Sequence, residues 1–233
     1  MNRELASITD NPIVAGTLDM PRVFSQAHAV GASMALAMDG IAVSMAQAAA
    51  LAERRLDRLV NPLVSGLPPF LAEIGGTRSG FMIAQYTAAS LVAQNRRIAA
   101  PASLDGGVTS GLQEDHLCHA TPAALKALEI IENSARILGI ELLAATQAYD
   151  LQATELSSAP YTESLRNRVR AVLPIYRDDR PLANDMTFAF RMISDGAPPP
   201  LPGTIAQVDG TARPCRLRLS RGYARNAPTR RLP

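Results

Sequence analysis

From Ile137 to Tyr149 the sequence presents apolar or small residues on every face of a helix, and Glu141 is the one charge. The stretch before it reads differently. Lys126, Glu129, Asn133 and Arg136 recur at helical spacing as a polar stripe, Thr121 is placed to cap a helix, and Pro122 suits a first turn. The stripe stops at Arg136. A helix with no polar side needs protein all around it, and a monomer of 233 residues can hardly enclose a helix of about 30 residues along its whole length. The expected arrangement is a homo-oligomer in which this helix lies among helices of other subunits and drives association.

Two more long helices are expected. The first covers about Val30 to Val60, where Ala, Met, Leu and Val recur at helical spacing and small residues permit close approach. Asn61-Pro62 ends it, and Gly66-Leu67-Pro68-Pro69 forces an extended connection. The second runs from about Ser79 to Ile98 and is stopped by Pro101. Shorter helices follow at about Thr162 to Leu173 and Leu182 to Ile193, and the first 27 residues read as an irregular entry around Asp10-Asn11-Pro12. Aromatic residues make up only 4% of a chain that is 47% hydrophobic, and Trp is absent. Close helix packing through Ala, Leu, Ile, Val and Met suits that supply, and the fold class expected is all-α, a long-helix bundle.

Charge divides the chain at Gly196. Residues 196–233 hold seven Arg against the single acid Asp209, so this Pro/Arg-rich segment carries +6 of a net +2 and residues 1–195 carry −4. With one aromatic, Tyr223, and no recognised binding module, the segment is expected to be a disordered extension and not a nucleic-acid arm. Cys118 and Cys215 form no framework, and a disulfide is not expected, in keeping with a cytoplasmic chain. The apolar run from Ala35 to Ala52 is broken by Asp39 and Gln47, filled with Ala, and not expected to span a membrane.

Chemistry concentrates in a smaller set of words. Gly80-Phe81-Met82-Ile83-Ala84-Gln85-Tyr86-Thr87-Ala88-Ala89 opens the second helix. A Pro/Gly/Ser loop through Pro101-Ala102-Ser103-Leu104-Asp105 then leads to Gly111-Leu112-Gln113-Glu114-Asp115-His116. An acid in a loop between buried helices can have its proton affinity set by desolvation and neighbours, which makes Glu114 the first candidate for function. Taken alone, Met82 on an apolar helix reads as core packing. Asp115, His116, Cys118 and His119 crowd together without a recognised zinc spacing, so no metal is expected and His116 is read as a hydrogen-bonded structural residue. Glu141 must be paired if buried, by an Arg of this chain or of another subunit.

These words resemble the histidine and aromatic amino acid ammonia-lyase family. So do Ser7-Ile8-Thr9-Asp10-Asn11-Pro12, Glu53-Arg54-Arg55, Leu63-Val64-Ser65-Gly66-Leu67-Pro68-Pro69-Phe70-Leu71 and Ile140-Glu141-Leu142-Leu143-Ala144-Ala145. The resemblance covers about Arg3 to Arg180 and only the second half of such an enzyme. It implies the carboxyl-terminal half of the fumarase/aspartase-like helical fold, in a tetramer whose sites are assembled from several subunits. It also implies that Glu114 faces the substrate's amino group or imidazole and acts as the catalytic residue, and that Met82 lines the substrate pocket. Met at that position together with Glu at 114 is similar to the histidine-type enzymes.

Two departures stand beside the resemblance. The family forms an electrophilic methylidene-imidazolone from an internal Ala-Ser-Gly, and this chain contains none, only Val64-Ser65-Gly66, Arg78-Ser79-Gly80 and Thr109-Ser110-Gly111. Where the family has an Asn-Phe-His-Gly word, this chain has His28-Ala29-Val30-Gly31. The expectation is a partial ammonia-lyase, inactive by itself and completed by a separate amino-terminal half. The alternative is a non-catalytic helical scaffold or the relic of a truncated gene.

Overall fold

Three long helices set the frame of the computed structural model, which describes residues 2–26, 28–104, 106–114, 116–152 and 157–196. The elements in chain order are a short helix α1 (Asn2–Leu5), strands β1 (Ile13–Gly16) and β2 (Pro21–Phe24), then α2 (Ala32–Val60), α3 (Pro62–Ser65), α4 (Met82–Ile98), α5 (Ala120–Asp150), α6 (Pro160–Arg170) and α7 (Ala183–Ser194). The all-α expectation holds, with one small exception. β1 and β2 pair antiparallel with Ile13 opposite Phe24, inside the stretch expected to be irregular. The hairpin carries Pro21 and lacks an Asn-Gly turn, so its sequence signal is weak.

Cross-helix contacts fix the directions. Lys126 meets Asp39 near the start of α5 and α2, and Glu141 meets Arg55 further along both, so these two helices run the same way. α4 runs opposite to α2, because Gln85 donates to Asp57 at one end and Ile98 packs beside Ala42 at the other. Alanine lets the axes come close: Ala35, Ala42, Ala49 and Ala52 of α2 and Ala84 and Ala88 of α4 are buried. In the polar stripe of α5, Lys126 and Asn133 turn inward to α2 and α4, Glu129 is exposed, and Arg136 lies over the Phe190 ring of α7. Lys126 reaches Asp39, Gln94 donates to Glu129, and Asn133 donates to Asn95 in the interior at 3.0 Å.

The second half of α5 is enclosed, as its composition requires, but by this chain alone. Ile137, Ile140, Leu143, Ala144 and Ala148 join one core with Leu56 of α2, Leu71, Ala88 and Val92, Val169 of α6 and Ala189 of α7. Gly139 lies so close to α7 that a Cβ there would come within 2.8 Å of the Phe190 nitrogen. The expectation that only other subunits could surround this helix is therefore corrected. Folding α6 and α7 back over it supplies the cover.

Among the long helices, α2 carries several open apolar residues. Leu36, Ile41, Val43 and Leu51 of that helix are exposed. By length and composition the stretch His28–Val60 is apolar enough to cross a membrane. Its other face nonetheless buries Asp39 and Glu53 and packs against α4 and α5.

Helix ends shift by a few residues from the sequence expectation. α4 starts at Met82 and not Ser79, because Ser79 and Gly80 form a turn whose two amides donate to the Asp179 carboxylate at 2.8 and 3.0 Å. α5 starts at Ala120 after His119 in left-handed conformation, which places Thr121 inside the helix and gives it no capping role. α6 begins at Pro160, suited to a first helical position. Residues 197–233, and with them Cys215 and the Arg-rich segment, lie outside the described residues.

Candidate functional site

Met82 is positioned from two directions. Its amide donates to the Ser79 carbonyl, within the turn that Asp179 closes, and Arg78 donates to the Arg177 carbonyl and pairs with Asp178. The Phe81 amide donates to Phe70 at 2.8 Å, and the Phe81 ring meets Tyr176 edge to face at 5.6 Å. Gln147, fully buried, joins these pieces: it donates to the Tyr176 carbonyl at 2.9 Å and accepts from the Tyr176 amide at 3.0 Å. The turn before α4 is thus tied to the interior of α5 by hydrogen bonds and not only by apolar contact.

Glu114 occupies a loop between α4 and α5 and is exposed. Its backbone forms a two-way bridge with Thr109, at 2.8 and 3.3 Å, and its Oε2 accepts from Thr109 Oγ1 at 3.2 Å. The burial expected to tune this carboxylate is absent from the isolated chain. Thr109 orients it, and its other oxygen has no hydrogen bond among the described residues.

Met82 and the fastening of the Glu114 loop belong to opposite ends of α4. Met82 is the first residue of that helix, and the loop with Glu114 is fastened past its last residue, where the Ser103 amide donates to Asp39 and Cys118 packs against Ala35 and Ala123. A helix of 17 residues is about 25 Å long. No hydrogen bond among the described residues joins Met82 to Glu114.

Backbone strain marks both places. Among the described residues, the non-glycine residues with positive φ are Phe70, Leu71, Ser110, Leu112, His116 and His119. The first two hold the turn before Met82, and the other four surround Glu114. Left-handed conformations in Phe, Leu and His are costly and persist only where the surroundings impose them. In sequence Gly75-Gly76, Gly80, Gly106-Gly107 and Gly111 hint at such turns, and they do not mark the strained neighbours.

For His116 the expectation is a hydrogen-bonded structural residue. Its side chain makes no hydrogen bond among the described residues and borders an open groove with Ser103, Leu104 and Val108. Its carbonyl accepts from the thiol of buried Cys118 at 3.5 Å. Asp105 and Asp115 lie outside the described residues. Glu141 has the Arg partner expected of it, and that partner is Arg55 of the same chain, which grips both carboxylate oxygens.

The residues present do not fit the family's methylidene-imidazolone. In each serine-glycine pair the preceding residue is Val64, Arg78 or Thr109 and not alanine. Ser65-Gly66 also closes α3, with the Gly66 amide bonded to Pro62 at 3.1 Å, and both amides of Ser79-Gly80 are held by Asp179.

Sequence reasoning passed over Asp39. It is 5% exposed, accepts the Ser103 amide at 2.8 Å and the Lys126 ammonium at 3.2 Å, and Lys126 also donates to the Ala100 carbonyl. Burial alone would raise its pKa. Hydrogen bonds from Ser103, Ala102 and Lys126 outweigh it and lower the pKa to about 2. The available signal was a lone acid in an alanine-rich helical face.

A family model described as aromatic amino acid lyase matches residues 1–171. Histidine ammonia-lyase of Natranaerobius thermophilus is 45% identical over 197 residues, which is 84% of this chain and 38% of that protein. That of Symbiobacterium thermophilum is 41% identical over 211 residues, covering 91% of this chain and 40% of the relative. Among solved structures, histidine ammonia-lyase from Trypanosoma cruzi matches with a TM-score of 0.71 at 39% identity, over 75% of this chain and 34% of that one. Phenylalanine aminomutase from Pantoea agglomerans matches at 0.75 and 31% identity, over 82% and 37%. The sequence thus spans about two fifths of the length of the curated relatives it matches.

Proposed function

The chain belongs to the aromatic amino acid lyase family, and from that premise we propose that it is the part of a carbon-nitrogen lyase that presents Glu114 and Met82 to an amino acid substrate. The reaction class is elimination of ammonia from histidine or an aromatic amino acid. Glu114 supplies an anionic acceptor for the substrate's ammonium or imidazole, and Met82 supplies apolar wall. The electrophile comes from outside these 233 residues, so the chain alone does not turn over. The single observation that carries the reading is the placement of costly left-handed backbone around the two candidate residues and nowhere else among the described ones.

Their separation along α4 supports sites completed by more than one chain, with Met82 and Glu114 serving different pockets or meeting across subunits. The exposed apolar face of α2 supports a homo-oligomer as the setting, and a cytoplasmic location follows from the likeness to histidine ammonia-lyases. The test is ultraviolet detection of urocanate or cinnamate from the purified chain alone and after mixing with an amino-terminal half of a lyase. Silence alone and turnover on mixing support the proposal, and turnover by the chain alone contradicts it. Within the active mixture, Glu114→Gln is expected to lower kcat by at least about a hundredfold, the usual scale for losing a positioned acid or base.

A scaffold that kept the bundle and lost the chemistry is favoured by one specific observation. Ala29 stands where the family carries an aromatic wall. Absence of rescue by the amino-terminal half selects that reading.

A further inference from the structure

The loop that carries Glu114 is fastened at both ends to the same two helices. At its entry Asp39 of α2 accepts the Ser103 amide at 2.8 Å and the Lys126 ammonium of α5 at 3.2 Å, while Lys126 also reaches the Ala100 carbonyl. At its exit Cys118 is buried between Ala35 of α2 and Ala123 of α5, about one turn from Asp39 and Lys126 respectively. Charged hydrogen bonds are roughly twice as strong as neutral ones, and this carboxylate is shielded from solvent. An ion pair that merely joined α2 to α5 would not need the main chain of residues 100–103. Here both charged groups spend hydrogen bonds on that segment, which is the point where the chain leaves α4 and sets the course of the loop. Between the fastenings, the Thr109 bridge orients Glu114.

We propose that Asp39 and Lys126 are positioning residues, a charged clamp that sets where the loop, and with it Glu114, is held. The catalytic consequence rests on the role proposed for Glu114, whereas the clamp itself is decided independently by amide exchange in the full chain. Asp39→Asn and Lys126→Met should each speed exchange of the Ser103, Thr109 and Glu114 amides by roughly tenfold, a local opening, and leave Ile137 to Ala148 unchanged. Lys126→Arg, which keeps charge and reach, should preserve protection. Unchanged exchange at Thr109 and Glu114, or equal acceleration through α5, would overturn the clamp.

In a mixture competent for turnover, the Asp39→Asn and Glu114→Gln effects should fail to multiply, since the first acts through the second. Multiplying effects would remove Asp39 from a positioning role. If Glu114→Gln alone leaves turnover intact, the role of Glu114 fails while the exchange result still decides the clamp.

Discussion

α2 and the second half of α5 are both long, apolar and rich in small residues, yet the chain covers one and leaves the other open. In α5 the residues from Ile137 to Ala148 meet α2, α4, α6 and α7. In α2 one face packs against α4 and α5 while Leu36 and Leu51 remain 64% and 60% exposed. Composition did not distinguish them. Return of the chain did: α6 and α7 fold back over α5, and nothing among the described residues returns over α2. Apolar surface is thus covered within the chain in one helix and left open in the other.

Core truncation should separate the two most strongly. Ile140→Ala, at a site 1% exposed, should cost on the order of 3 kcal/mol in chemical denaturation, whereas Leu51→Ala should cost less than about 0.5 kcal/mol. Equal losses would break the contrast. Gly139→Ala should cost about 2 kcal/mol, because the added methyl forces α7 away from α5, and calorimetry at matched concentrations reads it as a lower Tm.

Acid should act through the junction of the two helices. Asp39 has a pKa lowered from 3.8 to about 2. Its stabilising contribution is fully present above pH 3.8 and disappears as pH falls through 2, a loss on the order of 2 kcal/mol. Asp39→Asn should therefore flatten the acid limb measured by circular dichroism. The smallest effect on folding belongs to Leu36→Lys with Leu51→Lys. This pair should leave the circular dichroism spectrum unchanged while lowering the mass measured by light scattering, and undiminished association would assign the subunit contact to another surface.

Much of the frame is legible because helical periodicity is local. The three long helices appear at their expected places within a few residues, and the all-round apolar character of α5 correctly announces enclosure. The source of that enclosure was not legible, since α6 and α7 are short and polar enough to read as peripheral. The candidate residues were legible as words. Their surroundings were not: Asp179, which closes the turn before Met82, lies almost a hundred residues beyond it, and the partnership of Asp39 with Lys126 spans a comparable distance along the chain.

By itself the sequence determined which segments become helices, where proline and glycine interrupt them, and which family supplies the nearest likeness, because each depends on residue type and short spacing. Only the tertiary structure decided that α5 is buried by its own chain, that α2 keeps an open face, and that the loop carrying Glu114 is fastened at the end of α4 away from Met82. Those outcomes depend on where a later segment returns, and the energy of burial becomes defined only when both surfaces are in place.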